Sequence, residues 1–188
     1  MKLITAPEIY TPKEGEYAVF LAGGITGCHD WQSRVINYLK DFHHTDNLVI
    51  FNPRRDNFPI DDPNAVEEQI KWEFDHIEKS DLFTMYFCNS ESDQPICMYE
   101  LGRNLVRWQE RFPEDYHMRI IISIETGYKR TKDVEIQSKL ACGIRGIYHQ
   151  WKVPELDQKE FPEYHGYQIM LRHDLMFGEN VIDMIDLD

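Results

Sequence analysis

The chain lacks any long apolar run. Nothing in its 188 residues approaches the roughly 20 consecutive apolar residues that span a bilayer, which argues against a membrane-spanning helix. The opening stretch, MKLITAPEIYTPKEGEY, has one early Lys and no apolar core of a leader, so the expected compartment is cytoplasmic. Cysteine is scarce. Cys28, Cys88, Cys97 and Cys142 are widely spaced, form no CxxC pair and read as reduced thiols, with Cys97 and Cys142 expected in the core. The eight histidines make no HExxH, and His43-His44 reads as a helix end. Cys28, His29 and Asp30 are metal-capable, but adjacent side chains rarely converge on one ion. No metal site or cofactor is expected.

Positive charge is also in short supply. With 20 basic against 33 acidic residues the formal net charge is −13, a field that repels phosphate polymers and argues against general nucleic-acid binding. A small anion could still be held by a local Arg or a helix N-terminus. Length, 42% hydrophobic and 28% charged residues together describe one ordinary soluble domain with a core of its own.

What is present is an alternation of apolar runs and amphipathic stretches, the mark of successive β-α units on a parallel sheet. Strands are expected at 17–24, 48–53, 81–87, 118–124 and 145–149. Helices are expected from Asp30, a good N-cap, to about Phe42, and over 64–79, 95–111 and 133–141. These elements suggest a flavodoxin-like, doubly wound five-stranded α/β core over about 17–149. A C-terminal extension over 150–188 includes one more helix, in FPEYHGYQIMLRHDLM. Such sheets bind ligands beyond the carboxyl ends of their strands, where strand order switches.

Two carboxylates stand out. On the helix opened by Pro95, Cys97, Glu100, Leu101, Asn104, Leu105 and Trp108 fall on one helical face. Glu100 and Asn104 are its polar members, and burying an ionised Glu without a partner costs several kcal/mol. On the preceding helix, Val66, Ile70, Phe74 and Ile77 read as the apolar face, with Glu73 among them. Glu73 lies eight residues before Asp81, so at 1.5 Å per residue it stands roughly 12 Å toward the same ligand edge. Each has a plainer reading: Glu100 as a loop cap or Arg partner, Glu73 as part of a solvated face with Glu67, Glu68 and Glu78. Paired carboxylates in one cleft suit chemistry at an anomeric carbon, one attacking and one handling the leaving group's proton.

VFLAGGITGCHDWQ, FNPRRDNFP, QIKWEFDHIEKSDLF and PICMYELG, in that order and spacing, resemble the nucleoside 2-deoxyribosyltransferase superfamily over residues 18–125. The closest likeness is to its phage and bacterial deoxyribosyltransferase-like branch. The resemblance implies that Glu100, the Glu of the ELG segment, attacks the anomeric carbon and holds the sugar as an ester. It implies that Glu73 contacts the nucleobase and shuttles its proton. An Asp before the nucleophile's helix holds sugar hydroxyls in this family, and Asp93 or Gln94 stands there, with Asp93 preferred. Gly23 and Gly24 let substrate approach the backbone, and without a GK[ST] this AGG is no P-loop. The family's strand-one Tyr aligns with Phe20, which has no hydroxyl. Arg54 could meet a 5′-phosphate or salt-bridge the Asp56, Asp61 and Asp62 loop.

The implied partners are a nucleoside or nucleotide and a nucleobase, within a homodimer or larger homo-oligomer; in transferases a neighbour's C-terminal segment completes the site. The leading function is base exchange. A nucleoside-monophosphate hydrolase and a non-catalytic nucleotide binder are the alternatives, ahead of a purely structural domain.

Overall fold

The computed structural model describes residues 1–41, 45–59, 61–142 and 169. Five strands form one all-parallel sheet: β1 (Lys2–Thr5), β2 (Tyr17–Gly23), β3 (Leu48–Asn52), β4 (Leu82–Phe87) and β5 (Ile120–Ile124). Their order is β1-β3-β2-β4-β5. Four helices flank it: α1 (Trp31–Lys40), α2 (Pro63–Glu78), α3 (Pro95–Arg111) and α4 (Thr131–Cys142). No described helix is long and apolar enough to cross a membrane.

The strands read as continuous apolar runs because both sheet faces are covered. Alternation then sorts the side chains. Ala18, Phe20, Ala22, Phe83, Met85 and Phe87 face one core with residues of α2, α3 and α4. Val19, Leu21, Leu82, Tyr86 and Cys88 face the other with α1. Ile169, beyond the described helices, is fully buried in that second core.

The fold class is as expected, but one strand differs. Lys2–Thr5 pairs with β3 as an edge strand, although four residues carry too little periodicity to announce it. The expected strand at 145–149, the helix in FPEYHGYQIMLRHDLM, His43-His44 and the C-terminal extension lie outside the described residues, apart from Ile169. Cys97 is buried as expected; the side chain of Cys142 is not among those described.

Helix starts follow their caps. Asp30 accepts from the backbone N–H of Ser33 at 3.1 Å, and Asp62 accepts from that of Asn64 at 2.9 Å ahead of Pro63. The inward face of α2 is a correction to the expected one. Val66, Ile70 and Phe74 are exposed, whereas Ala65, Trp72, His76 and Ile77 are buried. Trp72 decides this. Its ring lies 6.0 Å from Phe20 and 6.4 Å from Phe51, stacks on His76 at 4.2 Å, and donates its indole N–H to the Glu8 carbonyl at 2.7 Å. Burying the largest ring with its polar edge satisfied outweighs burying the Val-Ile-Phe row.

Candidate active site

A cleft of about 240 Å³ opens at the carboxyl ends of β2 and β4, between α2 and α3. This is where strand order switches, since the chain passes from β2 outward to β3 and then back to β4 on β2's other side. Phe20 and Ala22 of β2 line its floor, and the Gly23–Thr26 turn forms one wall. Gly23 has φ +151°, and a Cβ there would overlap the Tyr86 backbone and the Trp31 ring. A Cβ on Gly24 would overlap the Gln94 amide and the Cys28 sulfur. Both glycines are therefore required by close approach, not only by the turn.

The opposite wall is the segment from β4 to α3. Gln94 occupies the N-cap position in the left-handed region, φ 49° and ψ 51°, with no side-chain cap bond. Instead its amide turns back: it accepts from the Cys88 N–H at 3.2 Å and donates to the Cys88 carbonyl at 2.7 Å. Ser92 Oγ accepts from the Gln94 N–H at 3.1 Å. These bonds offset the strain, of order 1 kcal/mol, of a left-handed non-glycine, and they fix the entry of α3 and hence Glu100.

Glu100 from α3 and Glu73 from α2 both line this cleft. Burial, then the charge of Glu73, push the Glu100 carboxyl up to about 7, with Arg103 opposing. Burial also raises Glu73, against a hydrogen bond from Gln69 and the charge of Arg103. Gln69 Nε2 donates to Glu73 Oε1 at 2.8 Å and to the Pro53 carbonyl at 2.8 Å, which holds the carboxylate in place. Glu73 thus ionises first and opposes ionisation of Glu100. Cys97, on the same floor, is pushed up to about 12 by burial and by the charges of Glu100, Cys28 and Glu73.

Of the residues singled out by sequence, Glu100, Glu73, Phe20, Gly23, Gly24 and Gln94 meet at this cleft. Asp93, Arg54 and Asn104 do not line it. Asp93 is exposed, and its carbonyl accepts from the Tyr128 hydroxyl at 2.8 Å. The Arg54 guanidinium donates to Gln32 Oε1 at 2.8 Å and to the His29 carbonyl at 2.9 Å, and lies 3.3 Å from Asp30. Arg55 pairs with Glu68 at 3.2 Å. The arginines thus brace Asp30 and Glu68, not the expected Asp56, Asp61 and Asp62. Asn104 is fully buried, with neither amide atom hydrogen-bonded among the described residues.

Sequence reasoning missed Ser92, Thr26 and Arg103. Ser92 and Thr26 line the cleft. Arg103 packs 5.0 Å over the Phe74 ring and is the cation nearest in effect to both carboxylates. Its position one turn beyond Glu100 was an available signal. Among the described residues no cluster of three metal-ligating side chains exists.

Two half-buried carboxyls with raised proton affinity, set beside the hydroxyl groups of Thr26 and Ser92, can attack a carbon and move a proton in one site. A family model described as "nucleoside 2-deoxyribosyltransferase like" matches residues 16–111, about half of the chain. No curated protein matches it significantly.

Proposed function

The chain belongs to the nucleoside 2-deoxyribosyltransferase-like family, and from that premise we propose that it cleaves the N-glycosidic bond of (deoxy)nucleosides through Glu100. The Glu100 carboxylate attacks the anomeric carbon as the C–N bond breaks. The nucleobase leaves with a proton supplied by Glu73, and the sugar stays on Glu100 as an ester. A second base, deprotonated by Glu73, then displaces the ester and regenerates the carboxylate. Water in place of that base makes the same cycle a hydrolysis.

The observation that carries this reading is the shared cleft of Glu73 and Glu100 with their unequal proton affinities. Near pH 7 Glu100 still holds its proton about half of the time. A nucleobase seated over Glu73 removes its remaining water and raises its proton affinity. The proton then moves to Glu73, and Glu100 becomes the ionised nucleophile only when substrate is present. Ser92 and Gln94 line the same cleft, and to Ser92, whose hydroxyl is not tied to the Cys88 backbone, we assign contact with the sugar hydroxyls.

One observation favours a second reading, a nucleotide-binding protein without turnover. Phe20, on the cleft floor, offers no hydroxyl to orient the nucleophile.

Intact mass spectrometry after brief incubation with deoxynucleosides and their monophosphates tests the proposal. The expected result is an added mass of one sugar unit, absent from Glu100→Ala. Free base that forms without an added base acceptor selects hydrolysis. Binding with neither adduct nor free base overturns catalysis in favour of the second reading.

A further inference from the structure

Two sulfurs meet behind the wall of the cleft. Cys28 lies on the turn that follows β2, half-buried, and Cys88 is fully buried where β4 ends. Both pack around Gly24, where the Cys28 sulfur fills the space a Cβ would need. Cys28 Sγ also lies 3.6 Å from Ser90 Oγ, and Cys88 Sγ lies 3.8 Å from the Gly24 carbonyl. They come from segments sixty residues apart, so only the parallel pairing of β2 with β4 unites them.

The surroundings divide the labour between them. Contact with Cys88 and Ser90, with the positive field of Arg54, lowers the Cys28 thiol to about 6 against its burial. Cys88 moves the other way, raised by its contact with Cys28, by burial and by the charge of Glu125. Half-buried Cys28 is the sulfur an oxidant in solution can reach, and its lowered proton affinity favours the thiolate there, whereas Cys88 is enclosed. Cys97 is the built-in contrast: buried beside two carboxyls and pushed up to about 12, it is inert.

We propose that Cys28 and Cys88 are a peroxide-reactive pair, a modification site separate from the carboxylate chemistry. The Cys28 thiolate attacks one oxygen of a hydroperoxide, the O–O bond breaks, and the alkoxide or hydroxide leaves and takes a proton. Cys28 is now a sulfenic acid. The Cys88 sulfur attacks it, the S–O bond breaks, and the hydroxyl departs as water with the Cys88 proton. Two thiols are oxidised to one disulfide and one peroxide is reduced.

This bond would be felt at the cleft. Gly24 has no room on its Cα side because the Cys28 sulfur and the Gln94 amide already fill it. The Gln94 amide is in turn anchored on the backbone of Cys88. A bond between the two sulfurs would therefore act on both walls.

The test is hydrogen peroxide titration of the full chain, read by intact mass and by peptide mapping after alkylation. The expected result is loss of two hydrogen masses and a Cys28–Cys88 linked peptide, reversed by dithiothreitol, with Cys97 still alkylated after denaturation. In Cys88→Ala a sulfenic-acid trap such as dimedone labels Cys28, and in Cys28→Ser the linkage and the labelling both disappear. Alkylation of Cys28 in the native chain should also proceed below the pH at which a free thiol reacts. Oxidation no faster at Cys28 than at Cys97, or a linkage through any other pair, overturns the proposal. The readouts require no substrate, so their failure is distinct from failure of the glycosidic reading.

Discussion

Glu73 and Glu100 line one cleft from adjacent helices, and burial, then the charge of Glu73, raises the proton affinity of Glu100. Two carboxyls that lose their protons in sequence divide the work of attack and proton transfer. The predictions below follow from that relationship and from the polar groups packed around it.

Glu100→Gln removes the attacking oxygen but keeps the shape. Turnover of deoxynucleosides should fall roughly a thousand-fold or more, as nucleophile removals do, with the fold unchanged by circular dichroism. Turnover within a few-fold of the parent would exclude Glu100 as the nucleophile.

The alkaline limb of kcat/KM should report loss of the pair's proton, which the free protein holds on Glu100, and lie near about 7. Glu73→Gln should lower the rate and remove this limb, because the amide cannot take up the pair's proton and pass it to the base. A limb that stays in place would show that Glu73 does not relay that proton.

Stability should carry the same signature with a fixed sign. Below about pH 4.5 the Glu100 carboxyl is neutral in folded and unfolded chains and costs nothing. Between there and about 7 the unfolded chain ionises first, so stability is lost as pH rises. Glu100→Gln should therefore be more stable than the parent at pH 8, by on the order of 2 kcal/mol, with the difference vanishing near pH 4. Urea denaturation at both pH values measures it. An equal difference at the two would refute the assignment.

Asn104→Leu addresses the buried amide on the stripe of Glu100. Both its amide atoms are without hydrogen bonds among the described residues, which costs about 1–3 kcal/mol for an unmet buried polar group. The leucine should raise the melting temperature and leave kcat/KM unchanged. A loss of activity without loss of stability would instead return Asn104 to the site.

Arg54→Ala tests whether that guanidinium is a brace or a phosphate ligand. Its bonds to Gln32, Asp30 and the His29 carbonyl predict equal weakening of nucleosides and nucleotides, with stability lowered by about 1–3 kcal/mol. Selective loss of nucleotide affinity, measured by calorimetry, would favour the phosphate role.

Much of this was legible in the residues. The bounds of α3, its Pro95 start and the inward stripe carrying Glu100 follow from a 3.6-residue period. That period repeats locally and needs no other part of the chain. The same reasoning misjudged α2, because Val66-Ile70-Phe74 and Ala65-Trp72-His76 are both acceptable helical rows. Only the space between Phe20 and Phe51 chooses the row carrying Trp72. It also preferred Asp93 to Gln94. Their order in the chain cannot reveal that Gln94 turns its amide back onto Cys88 while Asp93 faces solvent.

By itself, then, the sequence determined the β-α alternation, the cap at Asp30, the start of α3 at Pro95 and the two carboxylates at the ligand edge. Those are matters of period, cap chemistry and rise per residue. The tertiary structure alone decided that Lys2–Thr5 closes the sheet edge, that Arg54 serves the loop of Asp30 and that Cys28 meets Cys88. Each of these joins segments far apart in the chain, through parallel strand pairing or through loops gathered at its end. Spacing along a chain records what neighbours can do, whereas these contacts depend on which strands lie side by side.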